Sequence, residues 1–222
     1  MLPGTVAPAM AGLLGFDSDT SVTPTVAADF FTQGYRFCIR YLSLGSVQAE
    51  GDLTLFEALD ILRVGLALAP VQHVRLSGWA PTAELGAEDG GFAASHASQL
   101  GFPQGINVWC DLEGVAGATA ESQVIDYCNS WYGEVANAGY VPGLYVGADS
   151  ILEGQTLYES LKFSHYWKSL SGSVPEVAVR GYQMIQSNEH TANGIGIDDD
   201  RTQNDSLGGA VLWLAPPPAG IT

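Results

Sequence analysis

The chain has 222 residues, of which 46% are hydrophobic, and this length and composition suit a single domain with a large apolar core. Its 24 acidic and 8 basic residues give a formal net charge of -16, and Lys and Arg form no cluster. Such a surface repels phosphate backbones and anionic lipid headgroups, so the composition argues against nucleic-acid binding and electrostatic membrane docking.

The N-terminal segment MLPGTVAPAMAGLLGFD lacks the basic and apolar regions of a secretory signal. No apolar run in the chain reaches transmembrane length, so membrane insertion is not expected. Three routes stay open at this point: the protein remains inside the cell, its signal has been removed, or export uses another route.

A strand and helix unit is predicted to repeat four times, each helix ending at a glycine and preceding an apolar strand. The first helix has Thr23 as its N-cap, Pro24 at its first position and Gly34 at its end. The second helix opens with the capping box Thr54-x-x-Glu57. The four predicted helices lie near Pro24 to Gln33, Leu55 to Val64, Glu88 to Leu100 and Thr119 to Ala138.

Eight strands are predicted around these helices. The terminating glycines recur every thirty-odd residues, the length of one βα unit, and parallel neighbours require such crossovers. The pattern predicts an α/β fold, a TIM-type (β/α)₈ barrel over residues 1–214 with short or missing late helices, followed by a Pro-rich tail at 215–222; an open doubly wound sheet is the alternative. The predicted strands are Leu13 to Asp17, YRFCIRYL, LALAPVQHV, GINVWCDLE, VPGLYVG, Ser164 to Lys168, Val177 to Ile185 and Ile195 to Asp198.

Acidic side chains close three of these strands, where a parallel barrel carries its functional site. The first strand ends at Asp17, the fourth at Asp111-Leu112-Glu113, and the last runs into Asp198 to Asp200. Asp111 and Glu113 are two residues apart on a strand, so their side chains point to the same side. One such carboxyl can stay protonated as the general acid that glycosidic cleavage needs, and we expect Glu113 to take this role above an ionised Asp111.

Structural interpretations compete with this chemistry. Asp17 can form an Asx turn, and the run at Asp198 can be a solvated or cation-binding loop. Metal-dependent hydrolysis fits the sequence poorly because no His or Cys pair has ligand spacing, so we expect no metal and no cofactor. The cysteines are predicted to be buried free thiols. The residues concerned are His73, His96, His165, His190, Cys38, Cys110 and Cys128.

Aromatic and amide side chains near the same strand ends are candidate sugar contacts. Pyranose rings present apolar C–H faces that pack on aromatic planes, and amides can bond to sugar hydroxyls, although ordinary packing is the competing role for each residue. The candidates by position are Tyr41, Tyr145, Trp167, Tyr182, Gln183 and Gln186.

Short segments across nearly the whole chain resemble the glycoside-hydrolase-like family typified by a mycobacterial Tat-exported protein, which is similar to the Chalaropsis-type lysozymes. The segments are Gly15-Phe16-Asp17, YRFCIRYL, Gly65 to Val71, Ala87 to Gly105 leading into VWCDLEG, AGYVPGLYVG, HYWKS, Tyr182-Gln183 and IGIDDD.

The resemblance implies a muramidase-like enzyme that cleaves a β-1,4 bond of peptidoglycan, with Glu113 as general acid. Asp17, Asp111 and Asp198 are then the surrounding carboxylates, and the aspartate triplet leaves Asp200 as a second equivalent of the last acid. A glycan partner and action outside the cytoplasm, on the cell wall, follow from the same resemblance. The alternative is a barrel that binds wall glycan without cutting it, and the oligomeric state stays open.

Overall fold

The computed structural model describes residues 1–218, which form ten strands and five helices. The first half comprises β1 (Thr5–Pro8), β2 (Leu14–Ser18), α1 (Pro24–Thr32), β3 (Phe37–Leu42), α2 (Leu55–Arg63), β4 (Ala67–Gln72), α3 (Ala83–Leu100) and β5 (Asn107–Leu112). The second half comprises α4 (Glu121–Asn137), β6 (Val141–Val146), α5 (Gly154–Glu159), β7 (His165–Lys168), β8 (Met184–Ala192), β9 (Ile195–Thr202) and β10 (Leu212–Ala215).

Strands β2 to β9 close into an eight-stranded barrel, which confirms the predicted fold class. Neighbours from β2 to β8 are parallel, whereas β9 runs antiparallel to both β8 and β2. The eighth strand is thus a returning hairpin arm and not the product of another βα unit. Its cause is the turn Asn193-Gly194, where both residues have positive φ, as a two-residue hairpin loop requires.

The helices follow their sequence signals closely. Thr23 and Thr54 cap α1 and α2, accepting hydrogen bonds from the backbone N–H groups of Val26 and Glu57. The capping box at α2 is only half formed, because the Glu57 carboxylate bonds to Arg40 and not to the cap. The late helices are short or missing, as predicted: between β6 and β9 the barrel has only α5. No helix within residues 1–218 is both long and apolar enough to cross a bilayer.

One predicted strand is displaced along the chain. The segment predicted at Val177 to Ile185 is a strand only from Met184, and β8 continues to Ala192. Residues 177–183 form a turn instead, in which the Gly181 N–H donates to the Val177 carbonyl and Val179 adopts a positive φ. Gln186, which the prediction placed just beyond the end of this strand, therefore lies within β8 in the barrel wall.

The apolar core has two layers. The larger one lies between the barrel and its helices and contains the three cysteines, all buried and unpaired. The smaller one fills the barrel and includes Phe37, Trp109 and Trp213. Trp213 comes from β10, which pairs with β1 and touches β4 through Leu214, so two strands absent from the prediction close the N-terminal end of the barrel. Strand β10 ends at Ala215, the first residue of the predicted tail, and residues 219–222 of that tail lie outside the described part.

Candidate active site

A pocket of about 480 Å³ opens at the C-terminal ends of the parallel strands. Its volume is in the range of sites that hold small molecules. The lining comes from the ends of β2, β3, β4 and β5 and from the hairpin of β8 and β9. It consists of Asp17, Ser18, Asp19, Tyr41, His73, Val74, Glu113, Glu189, His190, Thr191, Gly196, Ile197 and Asp198.

Asp17 and Asp198 face one another across the β2–β9 pairing, and the side-chain amide of Gln186 forms a hydrogen bond to each of them. They are directly opposite in register. The Nε2 of Gln186 donates to Asp17 Oδ2 at 3.0 Å and to Asp198 Oδ2 at 2.9 Å. The hydroxyl of Tyr145 donates to Gln186 Oε1 at 3.1 Å, which orients the amide, and the Tyr41 hydroxyl donates to Asp17 Oδ1 at 3.2 Å. The carboxylates are therefore held in place by neutral donors.

Asp111 and Glu113 come from the end of β5, and the structure brings them beside the same cluster. Asp111 is only 6% exposed, and its Oδ1 has no hydrogen-bond partner among residues 1–218. Burial raises its pKa well above the ordinary value, and the charges of Glu113 and Asp17 raise it further. This environment favours the protonated form of Asp111, whereas the sequence predicts an ionised Asp111 beneath Glu113.

Glu113 is half-buried at the pocket lining, and burial raises its pKa. Its backbone is fixed because the indole N–H of Trp79 donates to the Glu113 carbonyl at 2.8 Å. Its side chain lies against Gly147, just after β6. A Cβ added at residue 147 would overlap the Cβ and Oε2 of Glu113, so the carboxyl occupies space that only a glycine leaves free.

Two further acids of the pocket, Asp17 and Asp198, also have raised pKa values. Burial raises the pKa of Asp17 to about 7 against the lowering effect of the Gln186 hydrogen bond, and the Asp198 charge adds to the rise. Burial and the charges of Glu189 and Asp199 raise the pKa of Asp198 to about 6. Near neutral pH the pocket therefore contains both protonated carboxyls and carboxylates, the two forms that general acid and base chemistry needs.

Tyr41 lines the pocket, whereas the other candidate sugar contacts and Asp200 do not; these other candidates are Tyr145, Trp167, Tyr182, Gln183 and Gln186. Gln183 is fully buried, where its Oε1 accepts from the Tyr166 N–H at 2.5 Å. Trp167 and Asp200 are buried in the barrel and bonded to each other, Nε1 to Oδ1, at 2.8 Å. Their burial leaves these three side chains out of reach of a ligand in the pocket. Tyr145 is also buried and acts through its bond to Gln186.

Several pocket residues were absent from the sequence prediction. The hairpin residues Glu189 and His190 had no assigned element, because the predicted strand ended before them. His73 lies directly after β4, a strand-end position that could have marked it as a site residue. No group of three or more His, Cys, Asp or Glu in the described part of the chain is arranged to hold a metal ion.

Comparison with known proteins gives one family match. The family model described as Rv2525c-like, glycoside hydrolase-like domain matches residues 28–202. Among curated proteins, no sequence match is found.

Solved structures share the fold at low sequence identity. The Tat-secreted protein Rv2525c of Mycobacterium tuberculosis has a TM-score of 0.66 and 18% identity, and the match covers 91% of this chain and 99% of that one. A bacterial lysozyme from Streptomyces coelicolor has a TM-score of 0.59 and 12% identity over 90% and 95% of the two chains. A muramidase from Trichobolus zukalii has a TM-score of 0.59 and 16% identity over 86% and 94%. At these identities the likeness concerns the fold.

Proposed function

The chain belongs to the Rv2525c-like, glycoside hydrolase-like domain family, and on that premise we propose that it is a muramidase-like hydrolase cleaving a β-1,4 glycosidic bond of peptidoglycan. The observation that carries the proposal is the acid cluster at the barrel mouth. Glu113 lies at the pocket lining with a raised pKa, and Asp17 and Asp198 lie in the same lining. Glycosidic cleavage needs one protonated and one ionised carboxyl on either side of the scissile bond.

Glu113 is the proposed proton donor to the leaving oxygen. It is the more exposed member of the β5 pair, so a substrate reaches it while Asp111 stays beneath. Asp111 has a raised pKa and an Oδ1 without a partner in residues 1–218, an environment that disfavours a second negative charge beside Glu113. Asp17 and Asp198, bridged by Gln186, supply the negative charge that stabilises an oxocarbenium-like transition state or activates water.

The names of similar proteins support a proposal about the place of action. Rv2525c is described as Tat-secreted, and similar barrels are named lysozyme and muramidase. We propose that this protein also works outside the cytoplasm, on the cell wall.

Glu113→Gln is expected to lower the release of muropeptides from purified sacculi by about 10² to 10⁴, the usual contribution of a general acid. The isosteric amide cannot donate a proton to the leaving group, while fold and glycan binding should persist. The matched control is Glu134→Gln, an exposed glutamate on α4, which should cleave at the wild-type rate.

Two outcomes would count against the assignment. Muropeptide release by Glu113→Gln at the wild-type rate would remove Glu113 from the chemistry. Binding of sacculi by the wild type without any release would exclude the hydrolase and favour a wall-binding barrel.

A further inference from the structure

His73 occupies one side of the pocket and is fixed from three directions. It follows β4 directly, and its backbone N–H donates to the Leu42 carbonyl at 3.0 Å. Its ring stacks on Tyr41 with centroids 4.5 Å apart, and its Nε2 lies 2.7 Å from Asp52 Oδ1. Because these contacts fix the ring, its second nitrogen, Nδ1, points in one direction.

The partner carboxylate determines which ring nitrogen carries hydrogen. Asp52 is buried in the loop between β3 and α2 and accepts a hydrogen bond from the Ser43 hydroxyl. Burial alone would raise the pKa of Asp52, but the bonds from His73 and Ser43 lower it overall. An ionised carboxylate can only accept, so a hydrogen is on Nε2 of His73, and whenever the ring is neutral its lone pair is on Nδ1.

Nδ1 of His73 has no hydrogen-bond partner within residues 1–218, and 35% of the side chain is exposed at the pocket lining. The neighbouring ionisable groups of the lining are mostly carboxyls, and the lining contains neither Lys nor Arg. A lining that offers several carboxylate acceptors and no Lys or Arg suits a ligand with hydrogen-bond donors and repels carboxylates and phosphates. Hydroxyl and acetamido N–H groups are the donors that a neutral amino-sugar unit offers.

We propose that Nδ1 of His73 accepts a hydrogen bond from a hydroxyl or acetamido N–H of a neutral N-acetylated sugar in the pocket, with Asp52 as the positioning residue. The inference deepens the proposed function and rests on it for the substrate class. It assigns the pocket to an uncharged sugar unit, so any acidic substituent of the glycan must point away from the carboxylates.

The test measures binding separately from cleavage. In the Glu113→Gln background, affinity for tetra-N-acetylchitotetraose is measured by calorimetry. His73→Gln places an amide nitrogen toward Asp52 but has no group at the Nδ1 position, and His73→Phe keeps only the stack on Tyr41. Both are expected to weaken binding about 3- to 10-fold, the value of one hydrogen bond. Tetragalacturonate, a carboxylate-bearing probe, is expected not to bind.

A spectroscopic readout separates contact from a structural role. In ¹⁵N-histidine-labelled protein, His73 should show a protonated Nε2 and an unprotonated Nδ1, and the Nδ1 resonance should shift on addition of the oligosaccharide. Asp52→Ala should abolish the preference for this tautomer and weaken binding to the same extent as His73→Gln.

Unchanged affinity in His73→Phe, an unmoved Nδ1 resonance at saturation, or no binding of the chitotetraose would each overturn the proposal. A failure of the hydrolase proposal gives a different pattern of results. If the wild type does not cleave sacculi but its affinity for the oligosaccharide depends on His73, the proposed contact at His73 still holds. If the wild type cleaves sacculi but the affinity does not depend on His73, only the proposed contact at His73 is rejected and the hydrolase proposal is kept.

Discussion

The direction of one strand decides which aspartate of the triplet faces the pocket. Asp198 and Asp200 are two residues apart and point to the same side of β9, so alternation alone cannot separate them. In a parallel strand Asp200 would lie nearer the mouth. Because β9 is antiparallel, Asp198 pairs with Asp17 at the mouth, whereas Asp200 pairs with Gly15 deeper in the barrel. The strand-end rule predicted the position of Asp17, Asp111 and Glu113, but the depth of a side chain depends on a register that the sequence does not show.

Gly147 is a second residue whose role appears only in three dimensions. Gly147→Ala places a methyl group where the Glu113 carboxyl lies, so the carboxyl must move. We expect kcat on sacculi to fall by about 10²-fold, the cost of misplacing a reacting group by about 1 Å, with little change in substrate binding. The control is Gly133→Ala on α4, where an added Cβ meets no atom within 4 Å, and its kcat should equal that of the wild type. Equal kcat values for both variants would contradict the steric explanation.

At the scale of elements, the helices and early strands were predictable because local signals and packing agree. Caps at Thr23 and Thr54 and the terminating glycines act within one turn of chain. The hairpin of β8 and β9 also carried a local signal in Asn193-Gly194, but the predicted β8 ended at Ile185, too early to reach it. Strands β1 and β10 pair across about 200 residues of chain, a contact that no local pattern encodes.

Arg40 joins three elements at the barrel mouth. It is fully buried on β3, where its Nε lies 2.6 Å from Glu57 Oε1 on α2 and its other nitrogens donate to the carbonyls of Ser18 and Gly51. Arg40→Met leaves the buried Glu57 charge without its cation, with only the Val22 N–H still bonded to it, so we expect the free energy of unfolding to fall by about 3 to 5 kcal/mol.

The experiment is urea denaturation, with Arg63→Met on α2 as its control. Arg63 is exposed and pairs with Asp60 on the same helix, so its loss should change the free energy of unfolding by less than about 1 kcal/mol. The double variant Arg40→Met/Glu57→Leu should recover part of the loss, because it removes the buried unpaired charge. A single Arg40→Met variant as stable as the wild type would show that the ion pair is dispensable.

At the scale of the whole molecule, the positions of the buried acids lower the stability of the folded barrel. The repeat of helix, glycine and apolar strand was enough to predict closure, since eight strands with crossovers leave few other arrangements. The sequence could not show that Asp17, Asp111 and Asp200 are all buried in the barrel and that, in the part of the chain that the structure describes, none of them pairs with Lys or Arg. Buried acids without cationic partners stabilise the folded state only while protonated. When these acids at the mouth and in the interior of the barrel are ionised, they destabilise the folded state. A barrel with a purely structural role would have no need of acids at these positions.

This arrangement makes the stability of the protein depend on pH in a direction opposite to that of a protein with salt-bridged acids. The pKa of Asp17 rises from 3.8 to about 7 on folding and that of Asp198 from 3.8 to about 6. Between these limits the folded state binds more protons than the unfolded state, so the free energy of unfolding decreases as pH rises from about 4 to about 7. The urea midpoint should therefore be higher at pH 5 than at pH 8.

The net charge of -16 acts in the same direction, since acid reduces general repulsion, and matched variants separate the two effects. Asp17→Asn/Asp198→Asn removes two acids with raised pKa values, so the difference in urea midpoint between pH 5 and pH 8 should shrink. Asp29→Asn/Asp126→Asn removes the same formal charge from exposed helix positions and should leave most of that difference in place. If the two double variants retain the same pH dependence, surface repulsion and not the buried cluster governs the effect. If the wild-type midpoint rises from pH 5 to pH 8, the pocket carboxyls are ionised in the folded protein, and Glu113 would then lack the environment that keeps a general acid protonated.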